Sequence, residues 1–134
     1  VFTEAWIIAE EPHLPVIEAR ELLTRIENGD PVIYDHVAIA GDIDLSRLDL
    51  PFIHYERPAG QEQTAVVVTS KIQIRNCEFQ GNVNFAHSLL REALDLCGCK
   101  FLQEARFKGA SFSAGAGFES CSFRRYATFR DANF

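Results

Sequence analysis

The sequence predicts an all-β solenoid, a coil of short strands in which each strand stacks on its copy one turn away, preceded by one amphipathic helix. Three observations predict it. From Ile72 to the end, large apolar residues recur with an 11-residue period, and small residues recur with the same period between them. Eleven phenylalanines stand against three tyrosines and one tryptophan, so the fold asks repeatedly for an apolar ring without a polar tip.

The period appears when the chain is written from Ile72 in rows of eleven: IQIRNCEFQGN, VNFAHSLLREA, LDLCGCKFLQE, ARFKGASFSAG, AGFESCSFRRY and ATFRDANF. The third position reads Ile74, Phe85, Leu96, Phe107, Phe118 and Phe129, and the eighth reads Phe79, Leu90, Phe101, Phe112, Phe123 and Phe134. The sixth position is always small: Cys77, Ser88, Cys99, Ala110, Cys121 and Ala132. Each unit is two small-x-large triplets, separated by two residues and then by three. Alternation within a triplet is the mark of a half-buried strand, but no triplet is long enough to be stable alone. Coiling is the workable solution, because it lets every short strand pair with its own repeat.

Two units make a four-sided turn, so that residues two units apart stack at the ~4.8 Å spacing of hydrogen-bonded strands. Phe79, Phe101 and Phe123 then form one interior column, Phe85, Phe107 and Phe129 another, and Cys77, Cys99 and Cys121 a third. A tyrosine at such a position would bury a hydroxyl with no partner. The register also runs backwards: Val32, Tyr34, Val37, Ile39, Ile43, Leu45, Leu48 and Leu50 fall on the same four positions, as do Val66 and Val68. Between Leu50 and Val68 there is a surplus of seven residues over one repeat, assigned to a loop in HYERPAG, residues 54–60, where Pro and Gly cluster. Gln61 and Gln63 interrupt the apolar pattern beyond it. The solenoid is therefore expected over 32–134, about four turns (roughly 4.4 by the count).

The preceding segment, 1–31, supplies the cap that an exposed coil end needs. Pro15 at a first helical position, Ile17, Leu22, Leu23 and Ile26 at helical spacing, and Gly29 as the stop before Pro31 predict a helix over Pro15–Asn28. At the other end the sequence stops at Phe134, an interior position, so this face is expected to continue or to pack against something, as in a homodimer through the C-terminal end.

The units CEFQG (Cys77 to Gly81), ARFKG, ASFSA, CSFRR and ATFRD resemble those of the pentapeptide-repeat proteins: a small residue, a polar one, a central Leu or Phe, then two polar residues. One extra residue in alternate units is similar to the Phe-rich branch of that family. The resemblance covers about 100 residues, and implies a right-handed quadrilateral β-helix. It also raises a function: the best-known members are DNA mimics that bind type II topoisomerases with a long, strongly acidic rod, dimerised at its C-terminal ends.

Charge argues against mimicry as the first choice. The net charge of −6 is uneven, with thirteen acids and five bases in residues 1–71 but six acids and eight bases in 72–134. The repeat body is close to neutral, whereas a mimic needs phosphate-like acids along the rod. The cluster Arg124, Arg125 and Arg130, with Arg106 and Lys108, is too small a basic excess for direct nucleic-acid binding.

Sites are sparse. Cys77, Cys99 and Cys121 read as reduced packing thiols, and Cys97 as an exposed, modifiable one. No Cys/His spacing suits zinc and no acidic loop suits calcium, so no cofactor or metal is expected. His36 and His87 fall at outward fifth positions. Two groups are candidates for partner contact: His54, Tyr55, Glu56 and Arg57 in the irregular segment, since loops carry function more often than scaffolds, and the acids Asp42, Asp44 and Asp49, with Asp35, on the first turn. No nucleophile–base pair or paired carboxylates converge at a readable spacing, so no enzyme is expected. The longest apolar run, Ala5 to Ala9, is a strand's worth and cannot span a membrane. The expected function is a non-catalytic scaffold binding an unidentified protein partner in the cytoplasm; the alternative is a DNA mimic acting on a topoisomerase or another DNA-binding enzyme.

Overall fold

The computed structural model describes residues 14–56 and 62–134. Ala5–Ala9, Arg57 and Gln61 lie outside the described residues. The chain is a β-helix of short parallel strands. It opens with strand β1 (Val16–Glu18), helix α1 (Ala19–Asn28), and strands β2 (Val32–Asp35), β3 (Ala38–Ala40) and β4 (Ile43–Asp44). A 3-10 turn over Leu45–Arg47 leads to β5 (Phe52–Glu56) and β6 (Glu62–Val68). The repeats follow as β7 (Ile72–Arg75), β8 (Glu78–Phe79), β9 (Val83–Asn84), β10 (Ser88–Leu90), β11 (Leu94–Asp95) and β12 (Lys100–Phe101). The last five are β13 (Ala105–Arg106), β14 (Ser111–Phe112), β15 (Ala116–Gly117), β16 (Ser122–Phe123) and β17 (Ala127–Thr128).

These strands form four sheets, ordered β1-β3-β8-β12-β16, β2-β7-β11-β15, β4-β9-β13-β17 and β5-β6-β10-β14. All pairings are parallel except β5 with β6. From β6 onward each strand pairs with its copy two units further along the chain, as Phe79 with Phe101 and Phe101 with Phe123. The rings stack accordingly, with centroids 4.8 Å apart for Phe79–Phe101 and again for Phe101–Phe123. In the neighbouring column Phe107 stacks on Phe129 at 5.0 Å and tilts against Phe85 at 5.5 Å. Edge-to-face contacts such as Phe101–Phe107 at 6.5 Å join the columns. Ring stacking at the strand spacing lets each layer bury its ring without leaving a void.

One corner of the unit turns through a single backbone conformation. His36, Asn76, His87, Gly98, Gly109, Ser120 and Asp131, all at the fifth position, have φ between 53 and 74°. This left-handed region suits Gly best and Asn, Asp and His better than Ser. Glycine sits where the corner above leaves no room: a Cβ on Gly98 would lie 2.3 Å from Asn76 Oδ1, and one on Gly109 2.8 Å from His87 Nδ1.

Three expectations are corrected. The helix starts at Ala19, because Val16–Glu18 pair with Ala38–Ala40 as a parallel edge strand. Sheet pairing there outweighs the local preference of Pro15 for a first helical position. The C-terminus of α1 is where Gly29 predicts it, with φ 76° and its N–H donating to Ile26 O. Ala19, Leu22 and Ile26 enter the common core.

The second correction concerns HYERPAG. Residues 52–56 and 62–68 form an antiparallel hairpin, with Phe52 opposite Val66 and Tyr55 opposite Gln63. Val32 pairs with Ile72, and Ile72 in turn with Leu94, so the first coil is almost twice as long as the next. The inserted segment therefore includes two paired strands, and residues 57–60 of HYERPAG lie outside the described residues. Phe52, Ile53 and Tyr55 are β-forming residues, and that content makes the segment a strand.

Third, Tyr34 departs from the apolar rule of its interior column. It pairs in register with Ile74, and its hydroxyl is buried without a hydrogen-bond partner among the described residues.

Candidate interaction surface

Several outward polar side chains close their own turn or bond one coil to the next. At the second position of the unit, Asx side chains close their own turn: Asp44 Oδ1 accepts from Ser46 N–H at 3.0 Å, Asn84 Oδ1 from Ala86 N–H at 3.0 Å, and Asp95 Oδ1 from Cys97 N–H at 3.1 Å. Asn84 also donates to Asp44 Oδ1 at 3.3 Å, across the coils. At the preceding corner Asn82 N–H donates to Asp42 Oδ1 at 2.8 Å, and Glu104 N–H donates to Asn82 Oδ1 at 3.1 Å. The acids of the first turn are thus tied into the scaffold. Asp35 accepts from Asn76 at 3.2 Å and lies 2.7 Å from His36. Asp49 is held through its backbone, its N–H donating to Glu27 Oε2 at 2.9 Å.

Electrostatics follow the same rungs. Arg75 donates from Nε to Asp95 Oδ2 at 2.7 Å, and its terminal nitrogen also contacts that oxygen. Desolvation works to raise the Asp95 carboxyl, but hydrogen bonds from Arg75 and Cys97 together outweigh it and hold the group below the usual carboxylate range. The same Asp95 hydrogen bond raises the Arg75 guanidinium.

The thiols are kept protonated. Burial pushes Cys77 and Cys121 up, and Cys99 up to about 12. Each donates to a carbonyl: Cys77 to Arg75 O at 3.2 Å, Cys99 to Ile74 O at 3.0 Å and Cys121 to Leu96 O at 2.9 Å. Cys97 departs from the expectation of an exposed, modifiable thiol: it is half-buried, and the Asp95 hydrogen bond raises its pKa. A thiol beside a carboxylate resists ionisation, and ionisation is what reactivity needs. Among the described residues, no group of three or more His, Cys, Asp or Glu is placed to hold a metal ion.

The hairpin is different in kind. His54, Tyr55 and Glu56 all lie on β5, and Arg57 lies outside the described residues. The ring of Phe52 meets His54 edge-on at 5.4 Å, and Tyr55 Oη donates to Gln63 Oε1 at 3.2 Å. Thr64 Oγ1 reaches His54 Nδ1 at 3.4 Å, a long contact between exposed groups. No carboxylate orients that imidazole among the described residues, so the pair lacks what activates a nucleophile. Sequence reasoning missed Phe52 and Ile53, which stay 59% and 37% exposed on this hairpin. The β-forming content of PFIHYE between two prolines was the signal that could have found them.

Among the described residues no helix is long and apolar enough to cross a membrane. No curated protein and no solved structure matches this chain. Residues 98–134 match a family model described as pentapeptide repeats (9 copies). That match falls on the stretch where the register is unbroken, and it shows pentapeptide repeats over residues 98–134.

Proposed function

We propose that this chain is a non-catalytic protein–protein interaction module. On this reading it is a right-handed, four-sided rod of about four coils, with α1 covering the first, and it presents the β5–β6 hairpin to a protein partner. The observation that carries the proposal is the hairpin itself. It interrupts an otherwise regular register and places Phe52 and Ile53 in solvent, whereas several outward groups of the repeats, such as Asp42 and Asn82, are spent on coil-to-coil bonds. Exposed apolar side chains on a projecting element favour a partner surface.

The outward ladders do not support DNA mimicry. One ladder sets Asp35 against Arg75, and another runs Asp44, Asn84, Arg106 and Thr128, so acids do not line successive rungs. No inhibition is expected in a topoisomerase supercoiling assay, and dose-dependent inhibition would reverse that judgement. The main test is affinity purification of the tagged chain from its own cells, followed by binding of the recovered protein in purified form. A single protein bound more tightly than about 10 µM supports the proposal; the absence of any such protein overturns it.

A further inference from the structure

Resting on that reading, we infer that the open edge of β5 is a docking site where an extended, cationic segment of a partner protein adds to the sheet as a further strand. At the N-terminal end of the coil, α1 lies against β1, β2 and β4, the terminal strands of three sheets. The fourth sheet ends in β5. The phase of the antiparallel ladder is set by Val67 N–H, which donates to Pro51 O at 2.7 Å. Alternation from that pair turns the backbone groups of Ile53 and Tyr55 towards β6, and those of Phe52, His54 and Glu56 towards the open edge. Among the described residues no further strand pairs with that edge. The strand is five residues long where most others have two, and it carries no proline, lysine or bulge of the kind that protects an exposed edge.

The chemistry of the occupant follows from its surroundings. Main-chain bonds to Phe52, His54 and Glu56 would supply the register, and apolar side chains would cover Phe52 and Ile53. Charge supplies the sign. Glu56 stands on the open edge itself, where a cation opposite it forms a favourable cross-strand pair. Residues 14–56 and 62–71 together hold ten acids and four bases, so the end of the rod that carries this edge is acidic. A second copy is a poor occupant, since antiparallel pairing about His54 would bring another Glu56 and another acidic end to the same edge.

The test uses the full chain and three labelled ten-residue peptides: alternating Lys–Val, alternating Glu–Val, and alternating Lys–Pro, which has the charge but cannot form a strand. Fluorescence anisotropy reads binding. His54→Pro removes one outward donor and blocks the edge while sparing the bonds of Ile53 and Tyr55 to β6. Glu56→Lys reverses the local charge and keeps the backbone intact, so it serves if the proline variant does not fold. The Lys–Val peptide is expected to bind wild type at least tenfold more tightly than either variant, and tenfold more tightly than the other two peptides bind. Equal affinity for wild type and the folded variants overturns the inference, as does equal binding of Lys–Pro. A concentration-dependent dimer lost in Glu56→Lys also overturns it, by assigning the edge to a second copy. If a purified partner binds wild type and Glu56→Lys equally, the edge fails while the interaction module stands.

Discussion

Gly81 is the position where one methyl group tests the stacking of the coils. A Cβ built there would lie 2.4 Å from Gly41 O, 2.5 Å from Gly41 C and 2.6 Å from Asp42 Oδ1. Carbon–oxygen contacts settle near ~3.3 Å or more, so the two corners must separate by roughly 1 Å. That movement strains the bonds on either side: Gln80 N–H to Ile39 O at 3.0 Å, Ile43 N–H to Asn82 O at 2.8 Å and Asn82 N–H to Asp42 Oδ1 at 2.8 Å. Weakening two of these at about 1 kcal/mol each, with about 1–3 kcal/mol for overpacking, gives a cost of about 3–5 kcal/mol for Gly81→Ala. The loss of unfolded-chain entropy offsets about 0.4–1 kcal/mol of this, leaving about 2–4 kcal/mol. For a chain of this size that is a fall of roughly 10 °C in melting temperature. Gly115→Ala is the contrast, since Gly115 has φ 95° and nothing within 4 Å of a built Cβ, so it reports backbone strain without a collision. Urea denaturation followed by circular dichroism reads both. A Gly81→Ala chain within about 0.5 kcal/mol of wild type would refute the close corner contact.

Tyr34→Phe removes the buried hydroxyl that has no partner among the described residues, and is expected to raise stability by about 1 kcal/mol in the same urea titration; a loss of stability would show that the hydroxyl is bonded after all. Cys99 ionises near 9.0 in a free thiol and near 12 in the fold, so the unfolded chain loses its proton first and stability falls as pH rises from 9 towards 12. The slope from this one group is at most about 1.4 kcal/mol per pH unit, and Cys99→Ala is expected to flatten the profile. Alkylation at pH 8 followed by peptide mapping should label Cys97 and Cys121 slowly, and Cys77 and Cys99 only on unfolding. Asp95 has the opposite sign: its depressed pKa stabilises the fold above the ordinary carboxylate range, and that contribution is lost as pH falls through it. Arg75→Ala should therefore raise the Asp95 titration seen by carboxyl NMR and move acid unfolding to higher pH; an unmoved titration would sink the pairing.

The repeat was legible because it is redundant. Six units put a large apolar residue at the third and eighth positions without exception, so any one could vary without hiding the period. The Phe79–Phe101–Phe123 column could be read from that spacing alone, since parallel pairing of equal-length coils leaves one register. The role of the fifth position was not legible. Asn76, His87, Gly98, Ser120 and Asp131 share no property of size or charge, yet all take a left-handed backbone, which Gly, Asn, Asp and His tolerate better than most residues and which the turn geometry imposes on Ser120 as well.

The same division holds at the N-terminal end. Composition and period determined that this protein is a coil of stacked apolar triplets with its acids at the front. Only the tertiary structure decided that Val16–Glu18 leave the helix for a sheet edge, and that Phe52–Glu56 run antiparallel with no strand on their other edge among the described residues. Both segments are too short for periodicity to speak, and each takes its conformation from the hydrogen-bonding partner it finds across the coil.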